Sequence, residues 1–265
     1  MIDVHAHMYK EDMLGDIAAV IERFSAEGGK YIINSAADLS SSHDVIAQAI
    51  EHSELKPTVG LHPELVVPGT DIFVCGIDES WIKTNIAEIR SLLKKHTEIV
   101  AIGECGLDYY WIKRERLGDR KDLFDIEKKL FIEHVILAQE FKLPLIIHCR
   151  DEDGDKQAEA EIIDLLVRYG PSVKCLFHSY TGSLSYLEDI LGLGAYVSFN
   201  GIVTYKNADN VRTILHEVPF DRLMIETDSP WLVPNKHRSV GIQVCEPMYV
   251  KETALFVAQE KGVTV

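Results

Sequence analysis

The sequence has no apolar run approaching the ~18–20 residues needed to cross a bilayer, which excludes a chain threaded through a membrane by helices. No basic leader followed by an apolar stretch opens it, so no export signal is expected and the expected location is cytoplasmic. Cysteine is scarce: Cys75, Cys105, Cys149, Cys175 and Cys245 are an odd number with no Cys-x-x-Cys spacing. That argues against a disulfide framework or a zinc ribbon and for a reducing compartment. No glycine-rich phosphate turn follows the first strand, which argues against a dinucleotide-binding open sheet. No repeat, low-complexity tract or linker divides the chain, so residues 1–265 read as one domain, and no obligate protein partner is evident. Positive charge is short as well, with 27 Lys and Arg against 42 Asp and Glu and a net charge of -15. A field of that sign repels polyanions. Any nucleic-acid role must therefore rest on a local positive site.

What is present is core-forming material, 46% hydrophobic, in a repeated alternation of short apolar strands and amphipathic helices. Met1–His7 reads as a first strand. Helices are expected at about Met13–Ala26, from a Ser41/Asp44 capping box to His52, at Trp81–Lys95, Phe124–Phe141, Ala158–Tyr169, Ser185–Leu191, Asp209–Val218 and Met248–Lys261. Between them lie strands at Tyr31–Ser35, Thr58–Leu61, Ile99–Gly103, Leu143–Ile147, Val173–Phe177, Ala195–Phe199 and Arg222–Ile225. A looser segment runs to Glu79, and a charged loop covers Lys113–Lys121. Asp151–Asp155 reads as a solvated acidic turn. Eight Ile/Val/Leu-rich strands, each followed by a helix, imply an α/β fold closed as a (β/α)8 barrel.

Ligand-type residues gather at the expected C-terminal ends of these strands. Alternation on the first strand sends Asp3, His5 and His7 to one face. Glu104 follows the fourth strand, His148 the fifth, His178 the sixth and Asp228 the eighth. In a barrel these ends converge on one face, where active sites are built. Six nitrogen and oxygen donors exceed the need of one tetrahedral zinc and suit two divalent metals ~3.5–4 Å apart, with Glu104 as the natural bridge. Imidazole and carboxylate without thiolate fit Zn, Mn, Mg, Fe or Co alike. Cys105 and Cys149 neighbour these residues but point the other way, into packing.

Asp3-x-His5-x-His7, Gly60-Leu-His62-Pro63, Ala101-Ile-Gly-Glu104-Cys-Gly-Leu-Asp108-Tyr-Tyr110, Ile147-His148-Cys-Arg150, His178-Ser-Tyr-Thr-Gly-Ser183 and Glu226-Thr-Asp228-Ser-Pro230 occur in an order that resembles the TatD family of metal-dependent deoxyribonucleases. The resemblance covers Asp3 to about Glu260. It implies a TIM barrel with a two-metal centre at the C-terminal face of the strands. It also implies phosphodiester hydrolysis by a metal-activated water, commonly as a 3′→5′ exonuclease on DNA. By position, His5, His7, Glu104 and Asp228 resemble the ligands of one metal, and Glu104, His148 and His178 those of the second. It further implies a terminal helix beyond Val265. Many relatives carry a basic Arg-Gly-Lys-Arg-Asn-Glu-Pro stretch where this chain reads His237-Arg-Ser-Val-Gly-Ile-Gln-Val-Cys-Glu246-Pro247. That departure bears on DNA preference more than on hydrolysis. Glutamines common in the family's fourth helix are replaced by Glu127 and His134.

Glu104 and Asp228 are the expected catalytic groups, with Asp228 positioning and deprotonating the water. Asp3 is expected to orient His5 or His7. His62, Arg150 and Tyr110 are the expected substrate contacts, the first two to phosphate and the third as a base-stacking ring beside Tyr109 and Trp111. Lys206 and Arg238 follow strands on the same face and are further candidates for binding phosphate. Two divalent ions carry +4, from which Glu104 and Asp228 subtract two, so the pocket floor stands near +2 and can bind phosphate on an acidic protein. Contact with nucleic acid is thus expected to be short or terminal. An amidohydrolase or esterase of small molecules would share the barrel and metals. However, many of those bridge with a carboxylated lysine, and the fourth strand has none. A non-catalytic scaffold should have lost a ligand, and none is missing.

Overall fold

Parallel pairing in chain order, β1 to β8, curls the sheet into a nearly closed eight-stranded barrel with helices alternating between strands. This computed structural model describes residues 1–264 apart from 116, 118, 119 and 153. The strands are β1 (Ile2–Ala6), β2 (Tyr31–Asn34), β3 (Leu55–Val59), β4 (Ala101–Asp108), β5 (Leu145–Arg150), β6 (Cys175–Phe177), β7 (Tyr196–Phe199) and β8 (Leu223–Ile225). Helices α1 (Glu11–Leu14) and α2 (Ile17–Ala26) follow β1, α3 (Leu39–Glu51) follows β2 and α4 (Glu79–Lys95) follows β3. Then come α5 (Tyr109–Arg114), α6 (Lys121–Phe141), α7 (Gln157–Tyr169), α8 (Leu184–Gly192), α9 (Asp209–Glu217), α10 (Asn235–Arg238) and α11 (Val250–Lys261). Among the described residues no helix is long and apolar enough to cross a membrane.

The seam between β8 and β1 is made by the residues just beyond β8. Asp228 N donates to the His5 carbonyl at 3.0 Å, and His7 N to that of Ser229 at 2.7 Å. Buried Asp3 reinforces it, accepting from Thr227 N at 2.9 Å and Thr227 Oγ1 at 2.5 Å. The polar face of β1 is therefore the inner one, with Asp3 and His5 fully buried and Ile2 44% exposed.

β4 is buried along its whole length and carries a bulge. Ile102 to Cys105 on β4 is matched by only Leu145 to Ile147 on β5. One extra residue in a strand locally re-aims a side chain, and the two residues in that gap, opposite Ile146 alone, are Gly103 and Glu104. Glycines stand on both sides. Gly103 and Gly106 have φ of 145° and 152°, and a Cβ at Gly106 would lie 1.8 Å from the His148 carbonyl oxygen. Thr58 Oγ1 holds the Gly103 carbonyl at 2.5 Å.

The buried face of α6 carries two polar residues among its apolar ones, Glu127 and His134. Glu127 Oε2 accepts from Asp108 N at 2.9 Å. His134 donates from Nδ1 to the Leu130 carbonyl at 2.7 Å and accepts at Nε2 from Leu61 N at 3.0 Å. One helix thereby fixes the backbone at the end of β4 and the backbone leading into His62.

Several boundaries differ from the sequence expectation. The first helix is broken at Gly15, and Asp16 restarts it by accepting from Ala18 N and Ala19 N. The capping box of α3 is formed by Asp38 and Ser41, not Ser41 and Asp44. β3 begins earlier, at Leu55, and β4 and β5 run past Glu104 and His148, which are therefore interior to their strands. Tyr109–Arg114 is helical and α6 starts at Lys121. Residues 116, 118 and 119 of the charged loop, and 153 of the acidic turn, lie outside the described residues. Asp151 of that turn accepts from Ala158 N at 2.7 Å, which ties it to α7.

Gly106→Ala is expected to lower stability by about 3 kcal/mol or more through overpacking and backbone strain, read as a shift of the urea midpoint. An unchanged midpoint would show that β4 and β5 tolerate the added methyl. Burial holds the His134 pKa down at about 4, against hydrogen bonding to Leu130 that raises it. The unfolded chain takes up that proton near pH 6.5 and the folded one does not. The contribution is therefore whole above pH 6.5 and is lost as pH falls toward 4, by up to ~3 kcal/mol. His134→Gln should flatten this part of the stability curve relative to the parent, measured by denaturant titration at several pH values.

Candidate metal centre

Glu104 rises from the β4 bulge into a ring of five imidazoles. Its Oε1 lies 2.7 Å from His178 Nε2, 2.9 Å from His148 Nδ1 and 3.1 Å from His62 Nε2. Its Oε2 lies 3.3 Å from His5 Nε2 and 3.4 Å from His7 Nε2. Asp228 Oδ1 completes the second group, 3.7 Å from His5 and 3.5 Å from His7. The six residues expected to bind metal thus meet at one mouth of the barrel. The two oxygens of Glu104 sort them into two sets.

Backbone and hydroxyl partners aim the rings. His7 Nδ1 can only donate to the Ser35 carbonyl at 2.9 Å, which leaves Nε2 with a lone pair in the neutral ring. Ser35 Oγ sits 3.1 Å from His5 Nδ1. His148 reaches Asp108 Oδ2 through Nε2 at 2.7 Å, so its Nδ1 faces Glu104. Buried Glu226 anchors the chain beside His178, accepting from Ser179 N, Ser198 Oγ and Asn200 Nδ2 at 2.7, 2.6 and 3.2 Å. Ser179 and Asp228 are held at positive φ, 46° and 58°, a conformation that costs about 1–3 kcal/mol and concentrates at functional sites. The Asp3–Thr227 hydrogen bonds fix the segment that turns Asp228 inward. Asp3 touches no imidazole nitrogen of His5 or His7, so its expected role as their orienter is replaced by this one, and Ser35 does the orienting.

The donor set fits divalent cations. His5 Nε2 and His7 Nε2 face each other at 3.0 Å, within hydrogen-bond distance, and both stand beside carboxylate oxygens of Glu104 and Asp228, a convergence of nitrogen and oxygen donors that suits a cation. Burial opposes ionisation of Glu104, yet His178, His62 and His5 around it hold its carboxyl well below the ordinary range. Burial likewise disfavours charge on His148, but hydrogen bonds to Asp108 and Glu104 raise it to about 9. His178 is raised in the same way by Glu104. Without cations, protons supply the positive charge these carboxylates demand, and cation binding would release them. Among the described residues, three triads have donor atoms within 4.8 Å of one another: His5/His178/Asp228, His5/His7/Glu104 and His62/Glu104/His148. His62 differs from the rest. Its Nδ1 accepts from Glu64 N at 3.2 Å, so the neutral ring carries its proton on Nε2 and presents a donor.

Arg150, two residues beyond His148 on β5, lies on the same side of that strand. Its guanidinium sits 3.9 Å from the Tyr110 ring centroid, and Arg114 approaches the same ring at 5.5 Å. Tyr109 is fully buried against Phe124 and is not available to stack a base. Ser35, Asp108 as the partner of His148, Glu226 and Thr227 escaped the sequence reading. So did Trp231, which is 41% exposed with its ring 5.1 Å from that of His7. Its position three residues after Asp228 was the one available clue.

An eight-stranded barrel with a buried imidazole–carboxylate cluster at one mouth defines the class of metal-dependent hydrolases. The family model of TatD-related DNases matches residues 2–265, and the chain belongs to that family. It is 34% identical to the uncharacterized metal-dependent hydrolase YabD of Bacillus subtilis, over all of this chain and 92% of that protein. The corresponding match to YcfH of Escherichia coli is 29% identical and covers all of this chain and 89% of that protein. The crystal structure of YJJV, a TatD homologue from Escherichia coli, superposes with a TM-score of 0.79 at 25% identity, covering 98% of this chain and 90% of that one.

Removing the Ser35 hydroxyl with Ser35→Ala leaves its carbonyl on His7 and frees only His5. Divalent-metal affinity, measured by calorimetry, should weaken about tenfold, the lower end for lost outer hydrogen bonds to ligands. Equal affinity would remove Ser35 Oγ from the support of the site.

Proposed function

We propose that this chain is a metal-dependent phosphodiesterase that trims nucleotides from an end of single-stranded or frayed DNA, with 3′→5′ polarity. The observation that carries the reading is the division of the donors by Glu104, one carboxylate oxygen to each set. In this assignment His5, His7, Glu104 and Asp228 hold one divalent ion, and Glu104, His148 and His178 hold the other. Two ions bound there would supply an activated water and positive charge on the phosphate oxygens.

The chain's own residues do the rest. Burial works against charge on Asp228, but hydrogen bonding from His7 and the fields of His5 and His178 keep its pKa below the ordinary value. It therefore stays an acceptor near neutral pH and can orient a water and take its proton at Oδ. His62, whose Nε2–H is directed at Glu104 Oε1 at 3.1 Å, is assigned to turn that donor to a phosphate oxygen when substrate binds. Arg150, with its guanidinium over the Tyr110 ring, presents a second cationic donor fork. Asp108 fixes the ring of His148 and keeps its Nδ1 turned inward. Support for phosphodiester over amide substrates comes from the bridge position, where a glutamate stands and β4 contains no lysine.

The test is hydrolysis of labelled single-stranded DNA, RNA and small esters, with Mg, Mn or Zn and with EDTA. DNA should be shortened from its 3′ end, and chelation should stop the reaction. Glu104→Ala should lower kcat by at least ~10³-fold, as expected when electrostatic stabilisation of the transition state is lost. Activity unaffected by EDTA, or full turnover by Glu104→Ala, would overturn the two-metal reading.

A further inference from the structure

One basic cleft on the molecule is not used by the centre described above. It is open, about 350 Å³, and is walled by Tyr205, Lys206 and Asn207 after β7 and by Asn235, Arg238 and Ser239 after β8. Asn235 N donates to Thr204 Oγ1 at 2.8 Å, which joins the two walls. The Tyr205 hydroxyl donates to the Val233 carbonyl at 3.1 Å, and the Arg238 guanidinium lies 4.8 Å from the Tyr205 ring centroid. Nearby acids are committed elsewhere, Asp209 to Arg212 and Glu252 to Lys236. Among the described residues neither Lys206 nor Arg238 has a carboxylate partner. On a chain of net charge -15, two unneutralised cations with the side-chain amides of Asn207 and Asn235 beside them form a local anion site.

The cleft is linked to the metal centre by the segment that begins at Asp228. Trp231 N donates to the Asp228 carbonyl at 2.9 Å. The Trp231 side chain stands exposed against His7, between the centre and the cleft in the chain. Both cleft walls follow strands β7 and β8 at the barrel end that carries the centre, and a cationic cleft together with an exposed aromatic ring beside the centre suits a single-stranded polynucleotide, which offers both phosphates and flat bases. A free small anion would leave the aromatic face unused.

We infer that the Lys206–Arg238 cleft is a second phosphate subsite. It grips the backbone of a single-stranded substrate away from the scissile bond, while Trp231 stacks a base beside the centre. This rests on the proposed phosphodiesterase reading and adds that substrates longer than a dinucleotide are favoured. Arg238 is the one Lys or Arg in the His237–Pro247 stretch, and Lys206 joins it from the opposite wall of the cleft.

The test uses the full chain and an oligothymidylate of about 12 nucleotides. Binding is read by fluorescence anisotropy in EDTA, and hydrolysis with Mn against bis(p-nitrophenyl) phosphate. The Lys206→Ala/Arg238→Ala double variant should bind the oligonucleotide about tenfold more weakly, as for loss of charge-assisted hydrogen bonds. Its salt slope should be shallower by roughly 0.7, as for one lost phosphate contact. Trp231→Ala should also bind about tenfold more weakly. Hydrolysis of the small ester should be unchanged by the double variant. Equal oligonucleotide binding by parent and double variant would overturn the subsite. So would a parallel loss of small-ester hydrolysis, which would place the two residues in support of the centre. Parent protein that binds the oligonucleotide through these residues but hydrolyses neither substrate would overturn the phosphodiesterase reading and leave the cleft as a binding site.

Discussion

A single buried carboxylate sets the terms for this molecule. Glu104 must reach imidazoles that belong to β1, the turn after β3, β5 and the segment after β6, and no regular strand can aim one side chain at all of them. The bulge in β4 re-aims it. The bulge in turn demands glycine at Gly103 and Gly106, because β4 there lies backbone to backbone against β5. The Glu104 position is also locked from outside, since its N–H donates to the Ala36 carbonyl at 2.9 Å. Geometry at the centre is thus written into strand register and does not depend on the flexibility of a long side chain.

The second constraint is electrostatic. Glu104, Asp228, Asp108 and Glu226 are acids gathered in the mouth of the barrel, and burying a charge without a partner costs several kcal/mol. The imidazoles offset this only in part. His5 is pulled down by burial and by the His178 charge, whereas His148 and His178 are pushed up by their carboxylates. Neighbouring histidines with opposite shifts describe a site in which positive charge is concentrated on one side and lone pairs on the other. Divalent cations would satisfy both halves at once, so the site is poised for them. Their binding should also stabilise the fold, since only the folded chain assembles the set.

The fold and the inner residues of the site were legible because parallel strands put their C-terminal ends on one face. The positions of His5, His7, Glu104, His148, His178 and Asp228 follow from where apolar runs stop. The same rule misplaced the strand ends. An apolar run ends at Glu104, but the strand continues through Cys105, Gly106, Leu107 and Asp108, because barrel interior near the mouth is polar and hydropathy no longer marks it. The supporting residues were hidden for another reason. Ser35, Thr227, Glu226 and His134 act through pairs distant in sequence, such as Asp3–Thr227 and His134–Leu61, and a serine or a buried acid has no local pattern that announces its partner. Helix breaks at Gly15 and capping by Asp38 were matters of turn chemistry in short segments, where several polar residues compete for the cap.

These constraints account for the distribution of charge over the surface. A barrel mouth that gathers acids to hold cations cannot also surround itself with many arginines without neutralising its own ligands. Basic groups are therefore kept at a distance and tied to aromatics: Arg150 and Arg114 on Tyr110 and Trp111 after β4 and β5, and Arg238 on Tyr205 after β7 and β8. An arginine over a ring keeps N–H groups for other partners while a face is covered, and Arg114 spends one of its own on the Tyr110 hydroxyl. The two clusters follow strands in different halves of the barrel, β4 and β5 for one and β7 and β8 for the other. The rest of the acidic surface repels a polyanion at longer range. On the proposed reading, a polynucleotide meets favourable charge only at the centre and at these two basic clusters, which is the physical basis for expecting short contacts in place of an extended groove.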